Sequence, residues 1–368
     1  MGRCRLCQRE YFLISKYPGV CLDCIRKEFE RVKPYIFEAH AKTRKDFNLP
    51  FRFSRETQGI LCTLCINECR IGEDERGFCG LRGNLRGKLI GANSRRGSLS
   101  FYFDSLPTNC VASWVCPGGS KIGFPKFSYK EGPEYGYKNL AVFYNGCSFN
   151  CLFCQNWNFR DTLRDIRKES FISPQDLAEV IDDKTSCICY FGGDPVPQLP
   201  HSILTSKIAL KKRRNKILRI CWETNGSMNK KLLRQIVKIA LDSGGCIKFD
   251  LKAWSESLHI ALCGVSNRRT LENFAEVSKY IKERPSPPLL IASTLLIPGY
   301  IDEYEIENIS KFIASLNREI PYSLLAFYPC FYMNELPITS RSFALKAKEI
   351  ASNSGLKNIW IGNIHLLS

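Results

Sequence analysis

From residue 136 onward, short apolar runs alternate with stretches in which apolar positions recur at helical spacing. The apolar runs lie near 140–144, 187–191, 217–222, 246–250, 289–296 and 322–327, with a last short one near 358–361. Strand-length runs separated by amphipathic helical patterns predict βα units and a parallel sheet, so the fold class read from the chain is α/β. Right-handed crossovers then curl such a sheet into an open barrel, with ligand-binding loops at the carboxyl ends of its strands. Ser173-Pro174-Gln175-Asp176 reads as a helix start: a capping serine, a proline at the first helical position and an acidic group in the first turn.

The first 135 residues follow another pattern. Cys4-x-x-Cys7 and Cys21-x-x-Cys24 form two knuckles thirteen residues apart, the spacing of a four-thiolate zinc ribbon, although a rubredoxin-like iron suits the same ligands. The charged stretch 25–47 predicts an amphipathic linker helix broken at Pro34. A separable module is therefore expected over residues 1–47. Residues 48–135 are rich in Gly, Cys and turn residues, and Cys62, Cys65, Cys69 and Cys79 offer four thiolates for either zinc or an auxiliary iron–sulfur cluster. Cys110 and Cys116 fit no tight knuckle; lining the active site, completing a cluster and plain packing all stay open for them. Residues 136–368 form the third expected unit.

Composition narrows the class. The chain has 368 residues, 44% hydrophobic and 24% charged, which is globular material rather than a disordered tract. Its longest apolar run, 289–297, is interrupted by Ser293 and Thr294 and is far shorter than the ~20 residues that span a bilayer. No membrane association is expected, and the first residues lack the apolar core of a secretory signal, so a cytoplasmic location with reduced thiols is the reading. In that setting nineteen cysteines mean metal sites rather than disulfides. The net charge of +17 implies an anionic partner: nucleic acid, an acidic protein or a negatively charged cofactor. The densest basic run, 211–216, reads as a solvated helix end.

The candidate chemistry sits just after four successive predicted strands. Cys147-Ser-Phe-Asn-Cys151-Leu-Phe-Cys154 follows the first, Gly192-Gly193-Asp194-Pro195 the second, Glu223-Thr224-Asn225-Gly226 the third, and Asp250-Leu251-Lys252 closes the fourth. Three thiolates hold three irons of a [4Fe–4S] cubane and leave the fourth open to a ligand with its own donors. The amino and carboxylate groups of S-adenosylmethionine (SAM) suit that position. Glycines let a backbone approach a ligand closely, and Asp194 supplies a counter-charge for an ammonium. Glu223, Thr224 and Lys252 offer oxygens and a cation to position a carboxylate or a bridging cation.

In this order the motifs resemble those of radical SAM activases of glycyl-radical enzymes, typified by pyruvate formate-lyase activating enzyme. Leu262-Cys-Gly-Val-Ser-Asn267, Leu271-Glu-Asn273 and Ile297-Pro-Gly-Tyr-Ile-Asp302 extend the match. The leader at 62–72 and the run Gly77–Asn84 resemble the AmmeMemoRadiSam-type branch, so the likeness covers roughly residues 60–368. The resemblance implies a partial (β/α)6 barrel with a Cys-rich N-terminal extension. It implies that Cys147, Cys151 and Cys154 ligate the cluster and that Gly192, Gly193 and Asp194 hold the methionine amino group. Glu223 and Thr224, completed by Asp250 and Lys252, stand where the activases place a monovalent cation site beside the SAM carboxylate. The chain departs from the family in its glutamate at 223, in Ser293 near a carboxylate-binding arginine, and in Ile66-Asn67-Glu68 where the leader usually carries Pro-His.

The implied reaction uses an external low-potential electron donor to reduce the cluster and cleave SAM to methionine and a 5′-deoxyadenosyl radical, which removes hydrogen from a substrate. Phe149, Phe153 and Trp157 either shield that site or belong to the core. A protein substrate follows from the activase likeness. Nucleic-acid modification, such as of tRNA, is the alternative suggested by the charge and the ribbon, and a SAM-binding scaffold or sensor without turnover is the non-enzymatic one. His40, His201 and His259 read as structural; the end of the last strand could bring Asn363 or His365 to the barrel mouth, but a simple packing role is the preferred reading.

Overall fold

The computed structural model describes residues 2–164 and 170–368. Its main sheet has eight strands in sequential order: β1 (Leu99–Ser105), β2 (Lys138–Tyr144), β3 (Thr185–Gly192), β4 (Arg219–Thr224), β5 (Ile247–Asp250), β6 (Leu290–Leu296), β7 (Tyr322–Ala326) and β8 (Ile359–Gly362). Strands β2 to β8 run parallel, as helix-containing crossovers require, and only β1 is antiparallel to its neighbour. All seven predicted apolar runs are strands. The half-exposed edge strand β1 lies in the stretch read as leader; it pairs with β2 along its whole length, Leu99 opposite Tyr144 to Ser105 opposite Lys138.

Helices cover the outer face of the sheet. The one after β4, Lys230–Ser243, shows how local sequence sets their ends: the Asn229 side chain accepts from the Leu232 amide, and Gly244 closes the helix at φ 78°. Ser173 caps Pro174–Glu179 in the same way, as expected. The sheet curls into an open barrel, because the segment following β1 reaches the strands at the opposite edge. Trp114 stacks on Trp360 of β8 with ring centroids 5.8 Å apart and donates from Nε1 to the Ser323 hydroxyl of β7 at 3.1 Å. Residues 106–118 thus strap the side opening.

At the N-terminus, helices Leu22–Lys27 and Phe29–Lys45 meet at Glu28, and Pro34 lies inside the second helix rather than breaking it. One intrahelical bond is lost there; the wholly buried Val32 and Ile36 on either side hold the helix together. Arg26 anchors the first helix to the barrel through Asp302 at 2.6 and 2.7 Å and Glu305 at 2.7 Å. Among the described residues no helix is long and apolar enough to cross a membrane.

Candidate active site

The loop after β2 carries Cys147, Cys151 and Cys154 into a cavity that Gly192, Gly193, Asp194, Glu223, Asp250 and Lys252 also line. Four strand ends meet there, as the order of motifs predicts. Asn156 fastens the loop to the next one by donating to the Gly192 carbonyl at 2.7 Å. The glycines are required by crowding: a Cβ on Gly193 would sit 2.5 Å from the Gly146 carbonyl oxygen, and Gly192, at φ 117°, would meet the Tyr144 backbone at 2.6 Å.

Asp194 is buried and ties two loops together. It accepts from the Val196 amide at 2.8 Å, the Asn225 amide at 2.6 Å and the Thr224 hydroxyl at 3.1 Å. Burial pushes its carboxyl up to about 7 despite those bonds. Thr224 therefore acts through Asp194, while Glu223, its neighbour along the strand, points to the opposite face.

Glu223, the buried Lys248 and Asp250 form a charged string that sequence reasoning reached only in part. Lys248 donates to Glu223 at 2.9 Å and lies 3.3 Å from Asp250; Lys252 lies 3.1 Å from Asp250, which also accepts from Ser293 at 2.8 Å. Burial would raise the Asp250 carboxyl, but Lys248, Lys252 and Ser293 outweigh it and hold the group below its ordinary range. Burial likewise opposes the charge on Lys248, and Asp250 and Glu223 reverse the effect. Lys248 was the missed member. The signal was present in Lys248-Phe249-Asp250, where alternation puts a lysine on the same face as the motif aspartate.

A second unforeseen residue is Arg160, which lines the cavity, is 1% exposed and keeps its Nε without a partner. Burial outweighs the charge of Arg160 at Cys154 and leaves that thiol raised to about 11, whereas the bond with Cys263, aided by Lys252 and Arg160, lowers Cys151. Three thiols, a buried cation beside them and a glycine-lined wall are a donor set that fits a cubane with SAM: the thiolates would hold iron, and the Gly192–Gly193 backbone and the charged string would face the amino acid end. The Cys147 sulfur accepts from the Phe149 backbone amide at 3.3 Å and from the Asn225 side-chain Nδ2 at 3.7 Å. Phe149 and Phe153 are buried beside the loop, whereas Trp157 stacks on Phe331 in a neighbouring aromatic group.

The ribbon cysteines 4, 7, 21 and 24 have their sulfurs all within 4.8 Å of one another, with Cys7 and Cys21 3.8 Å apart. Four sulfurs around one zinc stand about 3.8 Å apart, so the set fits a single ion. Cys62, Cys65, Cys69 and Cys79 surround a small cavity with Arg82. The leader also braces the site: Asn67, where the family usually has Pro-His, donates to the Ser148 carbonyl at 2.7 Å. Asn363 lines the active-site cavity and His365 is exposed. His40, His201 and His259 bond backbone carbonyls, as structural residues do. The basic run pairs with acidic neighbours, Lys212 with Glu179 at 2.7 Å and Arg213 with Asp183 at 2.5 Å.

Residues 141–313 match the Radical SAM superfamily. The chain carries a radical SAM domain. An uncharacterized protein of Methanocaldococcus jannaschii is 26% identical over 308 residues, 83% of this chain and 81% of its own length. A second protein of that organism, named for glycyl-radical enzyme activation, is 29% identical over 56% of this chain and 74% of its own. Pyruvate formate-lyase 1-activating enzyme of Escherichia coli is 24% identical over 51% of this chain and 74% of its own. The radical SAM domain and these relatives mark the chain as an enzyme of SAM radical chemistry built on an iron–sulfur cluster.

Proposed function

We propose that this enzyme abstracts hydrogen from a protein, as a glycyl-radical activase does. The observation that carries the reading is the meeting of Cys147, Cys151 and Cys154 with the Gly192–Asp194 turn and the Glu223–Lys248–Asp250–Lys252 string in one cavity. Cys147, Cys151 and Cys154 would hold a cluster that, when bound and reduced, would supply the electron for cleavage of SAM. The chain's own residues set where that happens. Cys147, Cys151 and Cys154 hold the cluster, Arg160 balances their charge, and Asp194 keeps the two glycines in place for the amino group. Lys248 supplies between Glu223 and Asp250 the positive charge that the likeness assigns to a monovalent cation, and Lys252 would offer its ammonium to the carboxylate of SAM. Phe149 and Phe153 keep water from the thiolates.

The protein-directed part rests on the relatives named as activating enzymes. It is tested by incubating the reduced, reconstituted enzyme and SAM with separate protein, RNA and small-molecule fractions from deuterium-grown cells. Deuterium in 5′-deoxyadenosine from the protein fraction alone is expected. Transfer from the RNA fraction instead would replace the reading with nucleic-acid modification, and no 5′-deoxyadenosine with any fraction would leave only the scaffold reading.

A further inference from the structure

Eleven of the nineteen cysteines belong to the ribbon, the leader and the cluster loop. Of the other eight, six line one cavity of about 160 Å3 inside the barrel: Cys110, Cys116, Cys187, Cys189, Cys221 and Cys246. Strand register puts them there. Cys187 and Cys189 lie two apart on β3 and share its inner face, Cys221 on β4 is the register partner of Cys189, and the Cys246 amide donates to the Cys221 sulfur at 3.4 Å. Cys110 and Cys116 come from the strap that closes the barrel's side. The cavity shares Val111, Phe191, Glu223 and Lys248 with the active-site cavity, so the two adjoin.

Cysteine fills cores as a small apolar residue, but these six border an open cavity rather than filling it, and the buried Arg219 and Lys248 share its wall. Among the described residues only the ribbon sulfurs are gathered closely enough for a single ion, so thiols spread round a cavity wall suit a larger core. Soft thiolate ligands select iron–sulfur chemistry at that size.

We propose that the barrel cavity binds a further iron–sulfur cluster through Cys187, Cys189, Cys221 and Cys246, with Cys110 and Cys116 closing the site from the strap. Binding converts the four thiols to thiolates with release of their protons. The inference does not depend on which substrate the enzyme uses.

Iron and acid-labile sulfide, counted after anaerobic reconstitution, test it. In the otherwise unaltered chain, Cys189→Ser with Cys221→Ser is expected to lose about two to four irons with matching sulfide, while the SAM-responsive electron paramagnetic resonance signal of the Cys147 cluster persists. Unchanged iron in that double variant would overturn the proposal. A second chain has alanine at Cys62, Cys65, Cys69, Cys79, Cys147, Cys151 and Cys154. It is expected still to bind iron and sulfide and to lose both when Cys187→Ser and Cys246→Ser are added. Binding of zinc or copper beyond the single ribbon ion and without sulfide, or of no iron by a chain whose circular dichroism is native, would equally overturn it.

Discussion

Glu223 and Lys248 face each other in register on neighbouring parallel strands, joined by a 2.9 Å ion pair in which the lysine side chain is 6% exposed. The same ammonium reaches Asp250 at 3.3 Å, so one buried cation holds two carboxylates on the wall of the candidate active-site cavity. Removing one member of a fully buried pair costs about 3–5 kcal/mol, and here about 1–3 kcal/mol, because the Glu223 and Asp250 side chains keep 21% and 30% exposure and Asp250 retains Lys252. Lys248→Met is expected to lower the unfolding free energy by about that amount in anaerobic urea titrations. Adding Glu223→Gln should recover part of the loss, and a double variant no more stable than the single one would show that the carboxylate is not its source.

Gly193 has the backbone of the cluster loop against its α-carbon. With a Cβ only 2.5 Å from the Gly146 oxygen, Gly193→Ala must displace one loop or the other, at about 1–3 kcal/mol. The displacement falls on the cavity wall proposed to face SAM. SAM affinity of the reconstituted enzyme, read by calorimetry, should weaken roughly ten- to hundred-fold while iron content stays unchanged. Wild-type affinity in this variant would mean that the turn does not touch the ligand.

Asp194 makes stability depend on pH. Its carboxyl titrates near 7 in the folded chain and near its ordinary 3.8 when unfolded. Between those values the native state keeps the proton and the unfolded state does not, so stability falls as pH rises from about 4 to about 7 and levels off above. Denaturation midpoints between pH 5 and 8 should show this slope, and Asp194→Asn should flatten it. Equal slopes in the two proteins would assign the pH dependence to another group.

The ribbon should carry one zinc per chain that is independent of the active site. Metal analysis is expected to find it retained in Cys147→Ala and absent in Cys24→Ala. Burial raises the Cys21 and Cys24 thiols, so metal binding must displace their protons, and without metal the close approach of the four sulfurs loses its support. Iron in the ribbon of protein purified with both metals present would identify a rubredoxin-like site instead.

Much of the barrel was legible in the sequence because its strands are buried on both faces and read as continuous apolar runs. Edge strand β1 was not, since its alternating, half-exposed residues resemble a loop. The break expected at Pro34 was misplaced because buried Val32 and Ile36, not the proline, decide the local backbone. Among site residues, those with short-range motif signatures could be found from spacing, whereas Lys248 and Arg160 needed a partner from another element to reveal them.

Order along the chain by itself determined the α/β class, the cluster-loop spacing and the coincidence of four motifs with four strand ends, because each depends only on neighbours in sequence. Only the tertiary structure decided that Lys248 bridges two carboxylates, that Arg160 stands beside the cluster thiols, and that six scattered cysteines share one cavity. Those relationships arise from strand register and from a strap crossing the barrel, and contacts between residues so far apart are settled by packing rather than by local pattern.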